Sequence, residues 1–277
     1  MIPLWDGQFR KYSNISFDLI EQYSTLDIGF SNVRKDGDIY YFATKQNDNL
    51  YNDQKTNAGL FIVRNGKIEK VLFDKTIHTG GSYFGANSES FTRNDQNELF
   101  ISIMYDNTFY QLKDMNAYPI ISIDFGRDGI DNSIGLKSLE EQLEYLKSSN
   151  RLASFPVLNI NNTDIMAFSY YFQGNDSNTL PGRIEDLHQY IQLKNSGQAF
   201  HTKKIKNDIT NFPEEVLICT YHPLAHEAWY KNYLVDIVDP GIYFSGKDEK
   251  SIIVEGIGEV NINDNPIIVL MKLKNNL

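Results

Sequence analysis

Apolar and polar residues alternate along this chain in short segments, with the two-residue period of a β-strand. The clearest case is the segment Glu98–Gly126, which predicts three consecutive antiparallel strands, Glu98–Tyr105, Thr108–Lys113 and Tyr118–Gly126. Short polar breaks separate these strands and supply the turns. Short strands at regular spacing with turn signals between them are typical of an all-β sandwich, barrel or propeller.

The same alternation continues through the rest of the sequence and predicts roughly eighteen strands, enough for four to five sheets of four strands each. The strongest hairpin signal is Asn65-Gly66, because a type I′ turn requires positive φ at both central residues. Outside the first segment, the predicted strands are Ile15–Gln22, Phe30–Arg34, Ile39–Thr44, Gly59–Arg64, Lys67–Phe73, Ser90–Arg93, Arg151–Asn159, Asp164–Phe172, Ile184–Leu193, Ala199–Lys206, Val216–Tyr221, Tyr233–Val238, Ile242–Ser245, Ser251–Gly256 and Pro266–Lys274.

A single helix is predicted, over Ser138–Lys147, where leucines recur on one face. Ser138 followed by Glu141 has the spacing of a capping box. The helix is expected to lie on the surface, in a connection between sheets. No linker rich in Pro, Gly or Ser interrupts the chain, so residues 1–277 are predicted to form one domain.

The composition supports the prediction of a β fold and excludes some classes of binding partner. The chain has 17 Tyr and 17 Phe, which favour strands, and only two Trp. Its net charge of −10 disfavours nucleic acid as a partner. The one cysteine, Cys219, excludes an internal disulfide. No stretch approaches the roughly 18 apolar residues that span a bilayer, and the first residues lack a signal-peptide pattern.

Two segments resemble a bacterial six-bladed β-propeller family found as envelope lipoproteins. Members typically have an Asn-Thr-Ile-Tyr-like turn and then a strand that begins with Tyr and ends in Asp-Phe-Gly. Here these are Asn107-Thr-Phe-Tyr110 and Tyr118–Gly126. Members typically close with Asp-Asn-Pro, a hydrophobic run and a final Leu-Lys, which here is Asp264–Lys274.

The resemblance implies a β-propeller of four-stranded antiparallel blades, with roughly four to five blades in this chain. It also implies a location in the periplasm or on the outer-membrane surface. Family members begin with a lipoprotein signal and a longer portion that holds the first blades, so this chain is expected to start inside the ring. An incomplete ring would leave open blade edges, through which the chain could self-associate. The resemblance implies no activity, because fold alone does not fix function.

The most suggestive cluster of chemically active residues is Tyr221-His-Pro-Leu-Ala-His-Glu227. His222, His226 and Glu227 could supply metal ligands, and Tyr221 could contact a ligand. However, Pro223 makes helical geometry doubtful, and the glutamate is not placed as in the His-Glu-x-x-His pattern of zinc proteases. An ordinary loop is therefore the favoured interpretation, and no metal site is assigned.

Other candidate sites are weaker. His78 precedes two glycines and could line an anion-binding loop, but the lysine of a P-loop is missing and a turn between blades is favoured. The acidic segments Asp128–Asp131 and Asn261–Asp264 could bind calcium but lack the twelve-residue loop spacing. The ligand-binding candidates are thus Tyr221, His222, His226, Glu227 and His78, and no catalytic residue or cofactor is predicted.

Three functions remain open from the sequence. The first is a non-enzymatic binding or assembly module whose ligand is an unknown small molecule, a glycan, a peptide or a protein, bound through tyrosines. The second is a metal-dependent hydrolase or lyase with its site in the propeller channel. The third is a scaffold that recruits a partner through open sheet edges. Five histidines and one cysteine are few for a metal site built from several blades, which favours the binding module over an enzyme.

Overall fold

The computed structural model describes most of the chain, namely residues 2–3, 8–13, 15–24, 30–44, 49–56, 58–74, 90–103, 106–131, 133–134, 137–148, 152–173, 187–207, 212–216, 218, 229–230 and 233–272. The chain divides into two compact units. Unit 1 consists of Met1–Phe91 and Leu99–Asn150, and unit 2 of Thr92–Glu98 and Arg151–Leu277.

Most of the described residues lie in antiparallel strands. In chain order the strands are β1 (Ile2–Pro3), β2 (Gln8–Tyr12), β3 (Leu19–Ser24), β4 (Phe30–Asp36), β5 (Ile39–Thr44), β6 (Asn49–Tyr51), β7 (Gln54–Thr56), β8 (Ala58–Arg64), β9 (Lys67–Asp74), β10 (Ser90–Arg93), β11 (Leu99–Ser102), β12 (Thr108–Lys113), β13 (Asn116–Ser122), β14 (Leu152–Asn161), β15 (Ile165–Gln173), β16 (Leu187–Leu193), β17 (Ala199–Thr202), β18 (Ile205–Lys206), β19 (Glu215–Val216), β20 (Trp229–Tyr230), β21 (Tyr233–Val238), β22 (Ser251–Val254), β23 (Gly258–Asn261) and β24 (Ile267–Lys272).

The all-β prediction is confirmed, and three sheets have four strands each, in the orders β4-β5-β8-β9, β10-β11-β12-β13 and β14-β15-β16-β17. Smaller sheets have the orders β1-β2-β3 and β20-β21-β24, and β6-β7, β18-β19 and β22-β23 pair as two-stranded sheets. A β-propeller of roughly four to five blades and a single domain over 1–277 stay predictions.

In unit 1, the central strands β5 and β8 of the sheet β4-β5-β8-β9 are buried on both faces. All six residues of β5 are buried. One face of β5 and β8 contributes Tyr41 and Ile62 to one apolar core, and the other contributes Phe42 and Phe61 to a second core. This continuous apolar sequence therefore reflects burial on two sides rather than a half-exposed strand.

The turn between β8 and β9 confirms the predicted hairpin. Asn65 has φ 50° and Gly66 has φ 72°, as a type I′ turn requires. The segment Glu98–Gly126 also forms three strands within one sheet, β11, β12 and β13, but β13 spans Asn116–Ser122 rather than the predicted Tyr118–Gly126. Beyond β13, the Gly126 amide donates to Asp124 Oδ1 (2.7 Å) and the backbone turns at Gly126 with φ 59°.

The predicted helix is confirmed as α1 (Leu139–Ser148), and its capping box is formed on both sides. The Ser138 amide donates to Glu141 Oε2 (2.9 Å), and the Glu141 amide donates to Ser138 Oγ (3.3 Å). The hydrogen bonds that the Ser138 amide and hydroxyl donate to the Glu141 carboxylate lower the pKa of Glu141. The cap satisfies amide groups that the first turn of a helix leaves without a partner.

In unit 2, the four-stranded sheet β14-β15-β16-β17 shares an apolar core with the sheet β20-β21-β24. Ile165 and Leu193 from the first sheet are buried in this core with Leu234 from the second, together with Ile218. A further core joins β21 and β24 to the hairpin β22-β23 and contains Val238, among others. Leu234 and Val238 lie on the same face of β21, so one face of the sheet β20-β21-β24 meets both the sheet β14-β15-β16-β17 and the hairpin β22-β23.

Two strand predictions were wrong. The segment Ile242–Ser245 was expected to be a strand, but a short helix, α2 (Pro240–Tyr243), occupies this place. The reason is local, because Asp239 Oδ1 accepts hydrogen bonds from the Gly241 and Ile242 amides and proline is favoured at the first helical position. The segment Ala199–Lys206 was expected to be one strand, but it splits into β17 and β18, which belong to different sheets.

Candidate functional site

The ligand-binding residues expected from the sequence lie outside the described residues. These are His78, Tyr221, His222, His226 and Glu227. Their roles therefore stay predictions. Cys219 also lies outside the described residues.

A different set of side chains comes together on one face of the sheet β14-β15-β16-β17. Residues directly opposite one another in antiparallel strands share a face. Tyr170 of β15 lies opposite His188 of β16, and Tyr190 of β16 lies opposite both Phe168 and His201. The face, here called the ring face, therefore consists of Phe168, Tyr170, Phe172, His188, Tyr190 and His201.

The rings of this face are in contact along its length. Phe168 and Tyr190 stack with centroids 4.9 Å apart. Phe172 meets His188 edge-on at 5.3 Å. Tyr170 lies 5.6 Å from both His188 and His201, and the two histidine rings are 5.4 Å apart. The ring centroids of Tyr170, His188 and His201 therefore form a triangle with nearly equal sides.

Exposure varies across the ring face. Phe168 and Tyr170 are buried, with 5% and 6% of their surface exposed. Tyr190 is half-buried and His201 is exposed. The ring face therefore runs from a dry part to a part that solvent reaches, as ligand sites with an apolar base and a polar opening do.

Tyr170 and His201 are joined by a hydrogen bond between the phenol oxygen and Nε2. The bond crosses from β15 to β17, over the intervening strand β16. Burial raises the pKa of Tyr170 to about 12, so the phenol is neutral at ordinary pH. A neutral phenol can donate to an unprotonated imidazole nitrogen.

His188 lies in an environment that disfavours its charged form. Burial, followed by the nearby positive charges of Lys203 and of His201 when protonated, lowers the pKa of His188 to about 4. Its Nε2 atom is buried and makes no hydrogen bond within the described part of the chain. The imidazole is therefore neutral at neutral pH, and its buried Nε2 has no hydrogen-bond partner among the described residues.

The charge state of His188 predicts that the folded protein becomes less stable as the pH falls. Its folded-state pKa of about 4 lies below the ordinary histidine value, so between about pH 6.5 and pH 4 the unfolded chain binds the extra proton. The free energy of unfolding should fall by about 1–2 kcal/mol across that window, a figure reduced from the fully buried limit because solvent reaches part of the ring.

This acid dependence can be measured by urea unfolding between pH 7 and pH 4.5 in the presence of a chelator. The H188Q variant should lose this part of the pH dependence, because glutamine does not titrate. The neighbouring side chains of Tyr170, His201 and Lys203 are present in both proteins. Equal pH dependence in the two proteins would contradict the assignment.

The opposite face of the same sheet is held by buried polar groups. Asn159 Nδ2 donates to Ser169 Oγ and to the Ile218 carbonyl, each at 3.0 Å. Gln189 Oε1 accepts from the Ile218 amide at 2.6 Å. Since Ser169 and Gln189 each neighbour a ring-face residue in sequence, this network fixes the strands that carry the ring face.

The acidic segments considered for calcium form hydrogen-bonded turns in the structure. Asp131 Oδ1 accepts from the Ser133 amide (2.9 Å), which lowers the pKa of Asp131. Asp264 Oδ2 accepts from the Asn261 amide (2.7 Å). Across the described ranges, no group of three His, Cys, Asp or Glu side chains is placed to hold a metal ion. The triangle on the ring face contains two histidines and a tyrosine, so it is not such a group.

The ring face was not predicted from the sequence. The two histidines are thirteen positions apart and meet only because the turn after β16 pairs Tyr190 with His201, which puts His188 and His201 in diagonal positions on one face. A hairpin register centred on Asn195-Ser196 would have placed them together. Tyr170 joins them through the separate pairing of β15 with β16.

Comparison with known proteins gives a fold likeness and no family. No profile of a known protein family matches the sequence, and no curated protein matches it. The structure resembles a crystal structure of a protein from Bacteroides fragilis NCTC 9343 that is named as a presumed exported protein, with a TM-score of 0.64 and 12% sequence identity. The match covers 97% of this chain and 72% of the other.

At this identity the likeness concerns the fold alone. It shows that the arrangement of antiparallel sheets described above also occurs in a solved structure. Neither helix of the described chain has the length and apolar character needed to cross a bilayer.

Proposed function

We propose that this chain is a β-propeller binding module of the bacterial cell envelope, and that its ring face binds a neutral carbohydrate. The observation that carries the proposal is the ring face itself, six contiguous aromatic and imidazole rings on one sheet, graded from buried to exposed. The proposed role is binding without catalysis, and it requires no cofactor.

The propeller part of the proposal is supported by how the sheets are built. Three sheets are four-stranded and antiparallel, and within each the strands follow one another in chain order. The sheet β4-β5-β8-β9 is apolar on both faces, as a propeller blade between two neighbours must be. The resemblance of Tyr118–Gly126 and Asp264–Lys274 to envelope propellers points the same way.

The envelope location is supported by the name of the similar Bacteroides fragilis protein and by the same sequence resemblance. It can be checked by fractionating cells that express the native gene. Recovery in the periplasmic or membrane fraction would agree with the proposal, and recovery in the cytosol would contradict it.

A carbohydrate fits the ring face for two physical reasons. The flat faces of Tyr and Phe pack against the C–H faces of sugars, while the phenol and imidazole tips can form hydrogen bonds with hydroxyl groups. The net charge of −10 disfavours anionic ligands such as nucleic acids, which leaves neutral glycans as the best match. On the ring face, His188 and Tyr190 of β16 are partly exposed and His201 of β17 is exposed.

Tyr190 is expected to contribute the main stacking surface. The Y190A variant should bind a neutral oligosaccharide at least about tenfold more weakly, because it loses a ring stacked on Phe168. A panel of neutral oligosaccharides screened by calorimetry in the presence of a chelator provides the measurement.

A matched control lies next to the ring face. Phe200 is 43% exposed and sits on the neighbouring strand, but its side chain is on the other face of the sheet, opposite Ile191. The F200A variant should therefore bind as the unaltered chain does. Equal losses in both variants, or an unchanged affinity in Y190A, would refute the ring face as the binding surface. Binding of peptides but no glycans would refute the carbohydrate assignment.

The alternative, a metal-dependent hydrolase or lyase, rests on His222, His226 and Glu227. These residues lie outside the described residues, so this hypothesis rests on the sequence alone.

A further inference from the structure

We propose that His188 and His201, with Tyr170 beside them, form a binding site for a divalent transition-metal ion such as Zn²⁺ or Cu²⁺. The inference goes beyond the proposed function, because it requires neither a glycan nor an envelope location. It is carried by the geometry of the three rings and by the unpartnered nitrogen of His188.

The spacing of the two imidazoles suits a shared metal ion. In a tetrahedral site with metal–nitrogen distances of about 2.0–2.1 Å, two imidazole centroids lie about 5 Å apart. The His188 and His201 centroids are 5.4 Å apart, and their planes are inclined at 47°. Tyr170 lies 5.6 Å from each of them, so its oxygen is a candidate third donor.

His188 supplies the independent observation that points to a ligand. Its Nε2 atom is buried and makes no hydrogen bond within the described ranges. Leaving a buried polar atom without a partner is unfavourable, and such atoms in native proteins call for a specific explanation. A metal ion bound between the histidines would provide the missing partner.

Charge also bears on metal binding at this site. An imidazole binds a metal ion through the lone pair of an unprotonated ring nitrogen. If the Tyr170 phenol binds as phenolate, one proton leaves for solvent, and its hydrogen bond to His201 is replaced by a bond to the metal. The neighbouring charge of Lys203 opposes a cation, whereas the net charge of −10 favours one.

The donor set selects the class of ion. Imidazole nitrogen suits Zn²⁺, Cu²⁺ and Ni²⁺, whereas Ca²⁺ and Mg²⁺ prefer several oxygen ligands. The expected order of affinity is Cu²⁺ above Zn²⁺, with no measurable binding of Mg²⁺ at the same concentrations.

The test is a calorimetric titration of the full chain, freed of any histidine tag and of bound metal, with Zn²⁺. One equivalent should bind, and the melting temperature should rise with the ion present. H188Q and H201Q should each weaken binding at least about tenfold. The double variant H222Q/H226Q is the matched control and should bind as the unaltered chain does, because those histidines belong to the other candidate site.

A second measurement needs no variant and covers the case in which a substitution prevents folding. Carbethoxylation of histidines in the unaltered chain, mapped by mass spectrometry, should be slowed by Zn²⁺ at His188 and His201 and unchanged at His78. Titration in buffers of different ionisation enthalpy reports whether one proton is released, which assigns Tyr170 as phenolate or as a neutral neighbour.

Three results would overturn the proposal. They are the absence of Zn²⁺ and Cu²⁺ binding, binding that H188Q and H201Q leave unchanged, and binding that is lost in H222Q/H226Q but kept in H188Q/H201Q. Glycan binding is measured with chelator present, so failure of the metal site and failure of the proposed carbohydrate site are separate outcomes.

Discussion

Replacing Phe61 with alanine is expected to lower the free energy of unfolding by about 3–5 kcal/mol. The Phe61 side chain is fully buried in a core that also contains Phe42 and Val63, and it meets the edge of Tyr51 at 6.4 Å. The substitution removes a whole ring from a core formed by side chains of β4, β5, β8 and β9 together with Tyr51. Because the central strands β5 and β8 are also buried on their other face, the sheet has little freedom to close the cavity.

Urea unfolding followed by far-ultraviolet circular dichroism measures this effect. Tyr118→Ala is the control, because Tyr118 lies in another strand of unit 1 and is 47% exposed. It should change the free energy of unfolding by less than about 1 kcal/mol. If F61A lowers the free energy of unfolding by less than about 1.5 kcal/mol, the face of the sheet that carries Phe61 is not packed as described.

Local features of the fold were predictable from the sequence because short-range chemistry decides them. The Asn65-Gly66 hairpin needs residues that tolerate positive φ, and the start of α1 needs Ser138 and Glu141 at capping-box spacing. Both requirements are visible within four residues of sequence. The segment Thr108–Lys113 likewise formed the strand expected, with the same bounds.

Errors arose where two local signals compete. Ile242–Ser245 has the apolar composition of a strand, yet the preceding Asp239 and Pro240 start a helix there. The cap contributes two hydrogen bonds from backbone amides and fixes the chain direction, so it outweighs the weak β-propensity of two residues. The break within Ala199–Lys206 was missed because β17 and β18 are separated only by two polar residues.

The ring face could not be derived from the sequence for a different reason. Its members come from three strands, and their meeting depends on two registers, β15 with β16 and β16 with β17. A shift of one residue in either register would move His188 or His201 to the opposite face. The buried network of Asn159 and Gln189 on that opposite face is part of what holds the registers in place.

Because that network is buried, replacing Gln189 with methionine is expected to cost about 1–3 kcal/mol of unfolding free energy. Methionine has a similar shape, so the cavity term is small and the loss comes from hydrogen bonding. The Ile218 amide, which donates to Gln189 Oε1 at 2.6 Å, would be left buried without its acceptor. Trp229 packs against the core that contains Ile218, so its fluorescence reports unfolding of unit 2.

The double variant with Asn159→Leu decides whether the two side chains act as one network. Both hold the Ile218 peptide groups, Gln189 at the amide and Asn159 at the carbonyl, so their costs should fail to add by at least about 0.5 kcal/mol. Q198M is the control, because Gln198 is exposed in the turn before β17, and it should be neutral within about 0.5 kcal/mol. Strict additivity, or a Q189M cost no larger than that of Q198M, would show that Ile218 finds another partner and that the ring face is held in register by packing alone.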